Sequence, residues 1–397
     1  MPESAAPVAA PTSPPRVWVM MGHKAGDNSQ ILALAEALGW PFEIKRLTYR
    51  PTELLTNLVA PLTLLGIVRR KSSPLAPPWP DLIISAGRRN EPLCRWIQAR
   101  AGKRVRLVHC GRPWAALENF DLVVTTPQYR LPRRENVLHN LTPLQRVSTA
   151  RLEEARALWQ PRLAQLPRPH IAVMVGGNAG PYVLDAEAAT LLGRAASAFA
   201  AKAGGSLLVT TSARTPRAAV GALAAALDGP HELYRWTPQA AADNPYFGYL
   251  AVADRFIVTC ESMSMLAEAC STRKPVHMFD LDTGPQLRWP LLRSLIGEVP
   301  VSSRSRRLRR LRFQPLVYRT AMVTGPRRLT RDTRIIQRQL IAAGRAVWLG
   351  QDFPPGPPPP PLDDVERAAA RVKTLFDASE SATGDAREAS ARSSAAA

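Results

Sequence analysis

The chain has 397 residues and a formal charge of +20. That length exceeds one small core, and at roughly 150 residues per domain it implies two domains plus tails. Its apolar content is that of a soluble protein, and 38 prolines imply segments outside the folded part.

Residues 1 to 15 form a Pro/Ala tail without a basic region followed by an apolar one, so no secretory signal is visible. Val17 to Met21 reads as a strand, Gly22 to Asn28 as a glycine-bearing loop and Ser29 to Leu38 as a helix with an apolar face. Phe42 to Lys45 is a second strand. The interval Leu54 to Val68 is the most apolar in the chain and is expected to be helical; it is either buried or interfacial, since it ends in Arg69-Arg70-Lys71. It is too short to span a bilayer. Asp81 to Ser85 is a third strand ending in Ala86-Gly87-Arg88-Arg89. A helix from Pro92 to Ala101 and strands at Val105 to Cys110 and Leu122 to Thr125 follow. Such alternation implies a parallel sheet with its ligand side at the carboxyl ends of the strands, where GHKAGDN, SAGRR and HCGRPW fall.

From Gln128 to Pro169 the strand rhythm is lost, and this stretch, with a helix from Thr149 to Gln160, is expected to join two domains. His170 to Val175 starts a second strand–glycine-loop–helix unit. Its successors are a helix from Ala186 to Ala203, a strand at Ser206 to Thr210, the turn Thr211 to Pro216, a helix to Leu227 and a strand at His231 to Arg235. Asp254 to Phe279 closes the unit as strand, turn, helix and strand. The expected architecture is α/β, with two Rossmann-like domains facing a cleft and disordered N- and C-terminal tails. Its boundaries are a tail at 1–15, an N-terminal Rossmann-like domain at 16–150, a C-terminal Rossmann-like domain at 151–285, a basic helical segment at 286–350, and a Pro-rich linker with a largely disordered tail at 351–397.

The basic segment holds thirteen arginines between Arg304 and Arg345 and one acid, Asp332. Such a field attracts phosphates or an anionic membrane surface. Nucleic acid ranks low, because only Phe313 and Tyr318 interleave with the arginines. A helix at Thr333 to Ala343 is expected to pack back on the first domain. FPPGPPPPP then reads as a polyproline linker, followed by a last helix at Asp363 to Asp377.

Cys94, Cys110, Cys260 and Cys270 form no C-x-x-C pair, and no His cluster has metal-ligand spacing. Reduced thiols in a cytosolic setting are expected, with no metal and no cofactor. GGNAG after a strand lacks the G-x-G-x-x-G spacing of a dinucleotide fold and the G-K-S/T ending of a P-loop. Its remaining senses are to hold a diphosphate, to position an acceptor, or simply to turn the chain. Ser262 and Ser264 stand where a helix should begin, a place that suits an anion, and Glu268 lies one turn beyond, within reach of a sugar's hydroxyls. A plain capped helix accounts for the same residues. The turn after the Ser206 strand offers Ser212 and Arg214 to a leaving phosphate. In the first domain His23 and Asp27 are candidate bases for an acceptor hydroxyl, Asp27 being equally a helix cap, while Arg88, Arg89 and Arg112 would bind an anionic acceptor.

GHKAGDNSQ, SAGRR, GGNAGPYVLD, TTSARTP and VTCESMSMLAEACSTRKPV, in this order, resemble the mitochondrial-fission Elm-type family over roughly Val17 to Leu281. Bacterial members of that family are regarded as glycosyltransferases with a GT-B-like fold, and plant members are associated with recruiting a dynamin-like protein to mitochondria. The resemblance implies a metal-independent transfer from a nucleotide sugar to a glycan or lipid-linked acceptor in the envelope. The enzyme would be cytoplasmic and peripheral at the inner face of a membrane. A non-catalytic adaptor binding a protein partner is the alternative. By the same resemblance Ser262, Met263 and Ser264 map to the phosphate loop, Glu268 to the ribose, and Gly176, Gly177 and Asn178 to the loop facing the donor. Two positions depart from the family pattern: Cys260-Glu261 replaces a glycine-acid pair, and Arg273 replaces a glycine before Lys-Pro.

Overall fold

The computed structural model describes residues 14–51, 62–102, 104–179, 182–239, 243–281 and 331–377. They divide into two compact units. Of the described residues, those up to 125, 131–140 and 363–377 form the first, and 126–130 with those from 141 to 362 form the second.

The first unit contains β1 (Val17–Met21), α1 (Ala25–Leu38), β2 (Phe42–Arg46), β3 (Leu82–Ala86), α2 (Glu91–Arg100), β4 (Arg106–Cys110), β5 (Leu122–Thr125) and β6 (Val137–His139). Its strands pair in parallel in the order β2-β1-β3-β4-β5-β6. Val17 to Met20 and Leu82 to Ile84 are fully enclosed, which is why they read as unbroken apolar runs: helices and loops cover both faces of a parallel sheet. Strand β6 lies in the stretch expected to be interdomain. Its three residues are too few to carry a period, and it forms because the edge of β5 needs hydrogen-bond partners.

Two further expectations change here. Helix α1 begins at Ala25 rather than Ser29, so the loop shortens to Gly22–Lys24 and Asp27 sits in the first helical turn. Asn28 makes the early start possible: its Oδ1 accepts the Gly22 N–H and its Nδ2 donates to the Gly22 carbonyl, both at 2.9 Å. Of the apolar interval Leu54 to Val68, residues 54–61 lie outside the described residues. Its remainder is turn and bridge, with Ile67 facing Tyr49, rather than helix.

The second unit contains α3 (Thr149–Trp159), β7 (His170–Met174), α4 (Ala186–Ala203), β8 (Ser206–Thr210), α5 (Arg217–Ala226), β9 (His231–Tyr234), α6 (Tyr246–Val252), β10 (Arg255–Thr259), α7 (Met263–Ser271), β11 (Val276–Phe279), α8 (Arg334–Ala342) and β12 (Val347–Trp348). Its parallel sheet runs β9-β8-β7-β10-β11-β12. Counted from its own first strand this is 3-2-1-4-5-6, the doubly wound order. Helix α8 belongs to this unit, not to the first: Ile336 and Leu340 are buried in the core shared by β10, β11 and α7. Gln337 fixes it further, its Nε2 donating to the Cys260 carbonyl at 2.7 Å. An Arg-rich sequence hid a helix whose inner face is apolar. Residues 282–330, most of the basic segment, lie outside the described residues.

The final helix, α9 (364–377), packs on the first unit. Asp364 is buried there and its carbonyl accepts from Asn140 Nδ2 at 3.0 Å, while Phe376 meets Trp40 edge-on at 5.2 Å. Residues 363–377 are therefore structured and bring the chain back to its first domain. Among the described residues no helix is long and apolar enough to cross a membrane.

Candidate functional site

Each sheet has one place where neighbouring strands send their connections to opposite faces, and such a switch point opens a crevice at the carboxyl ends. In the second unit it lies between β7 and β10. The loops there are Gly176–Gly177–Asn178 and Cys260–Glu261–Ser262, and the turn after β8 adds Ser212 to Thr215.

The glycine pair is used for internal packing. A Cβ on Gly177 would lie 2.1 Å from the Arg214 carbonyl oxygen, and one on Gly176 would lie 1.9 Å from Glu261 Oε1. The Gly176 N–H donates to Thr259 Oγ1 at 2.9 Å, and the Gly177 N–H donates to Glu261 Oε1 at 2.6 Å. Asn178 Oδ1 accepts the Leu184 N–H at 2.8 Å, and the Ser212 hydroxyl donates to the Gly176 carbonyl at 2.7 Å. These four residues fix the floor of the crevice.

The start of α7 borders these loops. Ser262 is its N-cap, but its side chain makes no capping bond; its Oγ accepts from Arg214 Nη2 at 3.3 Å instead. The helix start at Met263 and Ser264 thus has no side-chain cap, and a half-exposed guanidinium stands beside it. Glu261 was not singled out from the sequence as a site residue, and it decides the electrostatics here. Its carboxyl is buried, 3.7 Å from Arg214 Nη2, with Oε2 lacking a hydrogen-bond partner among the described residues. Burial raises its pKa, against the pull of the Gly177 N–H and Arg214.

Glu268 lies one turn further along α7 and is 7% exposed. The Tyr246 hydroxyl, from the first turn of α6, donates to its Oε2. Burial pushes the Glu268 carboxyl up to about 7, while the Tyr246 hydrogen bond and the charges of Arg146 and Arg151 pull it down. Neither α6 nor Tyr246 was foreseen; YFGYL reads equally as strand.

In the first unit the switch point lies between β1 and β3, and there the structure has an open pocket with a cavity volume of about 50 Å³. It brings His23 and Asp27 together with Arg88 and Arg89, and adds Lys24, Tyr49 and Asn90. Arg112 follows β4 and does not line it. Buried Asn90 holds the two strands in place, its Nδ2 donating to the Met20 carbonyl at 2.9 Å and the Ala86 carbonyl at 3.0 Å, and its Oδ1 accepting from the Tyr49 hydroxyl. Gly87 has φ +74, and a Cβ there would sit 2.8 Å from Asp27 Oδ2, so only glycine fits between the carboxylate and the strand end. Tyr49 follows the carboxyl end of β2, and the strand-end rule that singled out Arg88 would have found it. Among the described residues no three His, Cys, Asp or Glu side chains are grouped as a metal site, and all four cysteines are buried free thiols.

Among solved structures, the chain is similar to a UDP-GlcNAc 2-epimerase from Neisseria meningitidis bound to UDP-GlcNAc, with a TM-score of 0.41 and 10% identity over 82% of this chain and 100% of that one. It is 23% identical over 294 residues to the uncharacterized protein RP120 of Rickettsia prowazekii, covering 66% of this chain and 82% of that protein. It is 28% identical over 239 residues to the mitochondrial fission protein ELM1 of Arabidopsis thaliana, a match spanning 55% of each, so the chain covers about half the length of that relative. The family model described as mitochondrial fission ELM1 matches residues 25–298, well over half of the chain, and the chain belongs to that family.

Proposed function

We propose that the protein is a glycosyltransferase that moves a sugar from a nucleotide-sugar donor to an acceptor hydroxyl, without a metal. The observation that carries this reading is the start of α7 at the sheet's switch point: an uncapped helix terminus, Arg214 bonded to Ser262, and Glu268 one turn on. Backbone N–H groups at Met263 and Ser264 and the guanidinium would receive the donor's diphosphate and stabilise it as it leaves. Glu268 keeps Oε1 for a ribose hydroxyl while Tyr246 holds Oε2. Gly176, Gly177, Asn178 and Ser212 shape the loop under the donor rather than touch it.

In the first unit Asp27, or His23, would take the proton of the acceptor hydroxyl, and Arg88 and Arg89 would hold the acceptor. The acceptor class proposed is an envelope glycan or lipid-linked sugar, with the arginine-rich segment keeping the enzyme at the anionic inner face of a membrane. The relative named as a mitochondrial fission protein favours a second reading, an adaptor that keeps the fold and binds a protein at a membrane surface.

Calorimetric titration with a panel of nucleoside diphosphates and nucleotide sugars separates the two. Binding of one base in the micromolar to millimolar range, lost in Arg214→Ala, is the expected result; an intact fold with no heat from any nucleotide would leave the adaptor reading.

A further inference from the structure

The pocket of the first unit carries more positive charge than a neutral sugar acceptor requires. Its titratable lining is Lys24, Arg88 and Arg89 against one carboxylate, Asp27, with His23 beside them. Three cations less one anion leave +2 with the imidazole neutral, which matches the charge of about −1.5 to −2 on a phosphate monoester at neutral pH.

The cations are also positioned. The Arg88 guanidinium lies 4.4 Å from the centre of the Trp114 ring, and Arg89 lies 5.7 Å from that of Tyr49 with its Nη1 3.3 Å from His23 Nδ1. An aromatic face restrains a guanidinium without cancelling its charge, and its in-plane N–H edge stays directed outward to a ligand. Arg88 has no carboxylate within ion-pair distance among the described residues, although its charge is felt by the buried Glu91 carboxyl. The wall bearing these groups is fixed by Asn90 and by the tight fit of Gly87 on Asp27. Helix α1 starts at the same wall behind Lys24, which is its N-cap and gives it no side-chain cap, so the positive end of the helix adds to the field.

We propose that this pocket seats a phosphate group of the acceptor, so that the acceptor is a phosphorylated molecule whose hydroxyl meets Asp27 beside that phosphate. Assigning the phosphate to the acceptor rests on the glycosyltransferase reading; the phosphate site itself rests on the geometry of the first unit.

The test is calorimetry of the full chain with glycerol 3-phosphate, and co-sedimentation with phosphatidylcholine vesicles with and without phosphatidic acid. Lys24→Ala and Arg88→Ala are each expected to weaken phosphate binding by roughly tenfold or more, the scale of one charge-assisted hydrogen bond. Both side chains are exposed, so melting temperatures should not move. Arg194→Ala, which removes an exposed charge from the second unit, should bind as the wild type does. Binding of the soluble ester alone identifies a soluble acceptor, and binding of the doped vesicles alone identifies a lipid-linked one. The inference is overturned if neither probe binds, or if Lys24→Ala and Arg88→Ala bind like wild type. Nucleotide titration of the same preparations keeps the readings apart: nucleotide binding without phosphate binding sinks this inference only, and the reverse leaves the phosphate site standing while removing the donor assignment and, with it, the assignment of the phosphate to an acceptor.

Discussion

Glu268 is where one residue's environment makes a measurable claim. Burial raises its carboxyl to about 7, so near neutrality it is divided between a protonated and an ionised form. A ribose diol donates to a carboxylate, so ligand binding favours the ionised form. Nucleotide affinity is therefore expected to rise by roughly tenfold between pH 6 and pH 8, and Glu268→Gln to flatten that profile while retaining the fold. An unchanged profile in the variant, read by calorimetry at both pH values, would refute the ribose role. The stability sign is the opposite one. The folded pKa lies above the ordinary 4.5, so the stabilisation is complete below about pH 4.5 and is lost as pH rises through about 7. Alanine is a poor probe here, because it would also strand the buried Tyr246 hydroxyl. The sequence reveals Glu268 by its distance from Ser264, but not Glu261. That carboxyl matters only because Gly176 and Gly177 make room for it, and the contact joins residues about 84 positions apart.

At the scale of elements, the end of α7 explains two residues of the STRKPV motif. Arg273 follows the C-cap with φ +61 and donates its N–H to the Cys270 carbonyl, a left-handed position that glycine occupies at least cost. Arg273→Gly is expected to stabilise the protein by about 0.5–1 kcal/mol, the relief of the left-handed strain less the extra freedom of the unfolded chain. Urea denaturation measures it, and a variant no more stable than wild type would show that the strain is absorbed elsewhere. Lys274 in turn reaches back to α6, its Nζ donating to the carbonyls of Leu250, Ala251 and Ala253. The Lys of this motif thus caps the end of α6. Most strands and helices were legible because fully enclosed runs such as Leu82–Ile84 and amphipathic ones such as Ala186–Ala203 carry their own period. Strand β6, strand β12 and helix α6 were not, since at two to seven residues each is held by its neighbours and not by its own pattern.

At the scale of the molecule, the chain's return to the first unit has a testable energetic consequence. Ala368, Ala369 and Val372 of α9 are buried, and Phe376 covers Trp40. A chain ending at Leu362, which keeps every residue of the second unit, is expected to lose on the order of 3 kcal/mol in the unfolding of the first unit, from the apolar area uncovered. A red shift of Trp40 fluorescence in the native state should accompany it, with the second unit's transition unmoved; coincident unfolding curves for the two chains would contradict this. The sequence by itself determined the α/β class, the two repeats of strand, glycine loop and helix, and the carboxyl-end position of the candidate residues. Those follow from local periodicity and from the one-sidedness of parallel sheets. Only the tertiary structure decided that α8 joins the second unit and α9 the first. It alone also showed that the glycine pair packs against Glu261 and Arg214, and that Lys24, Tyr49 and Asn90 complete the pocket around His23, Asp27, Arg88 and Arg89. These are pairings across long stretches of chain, and their energy depends on which surfaces meet, a quantity that no local window of sequence contains.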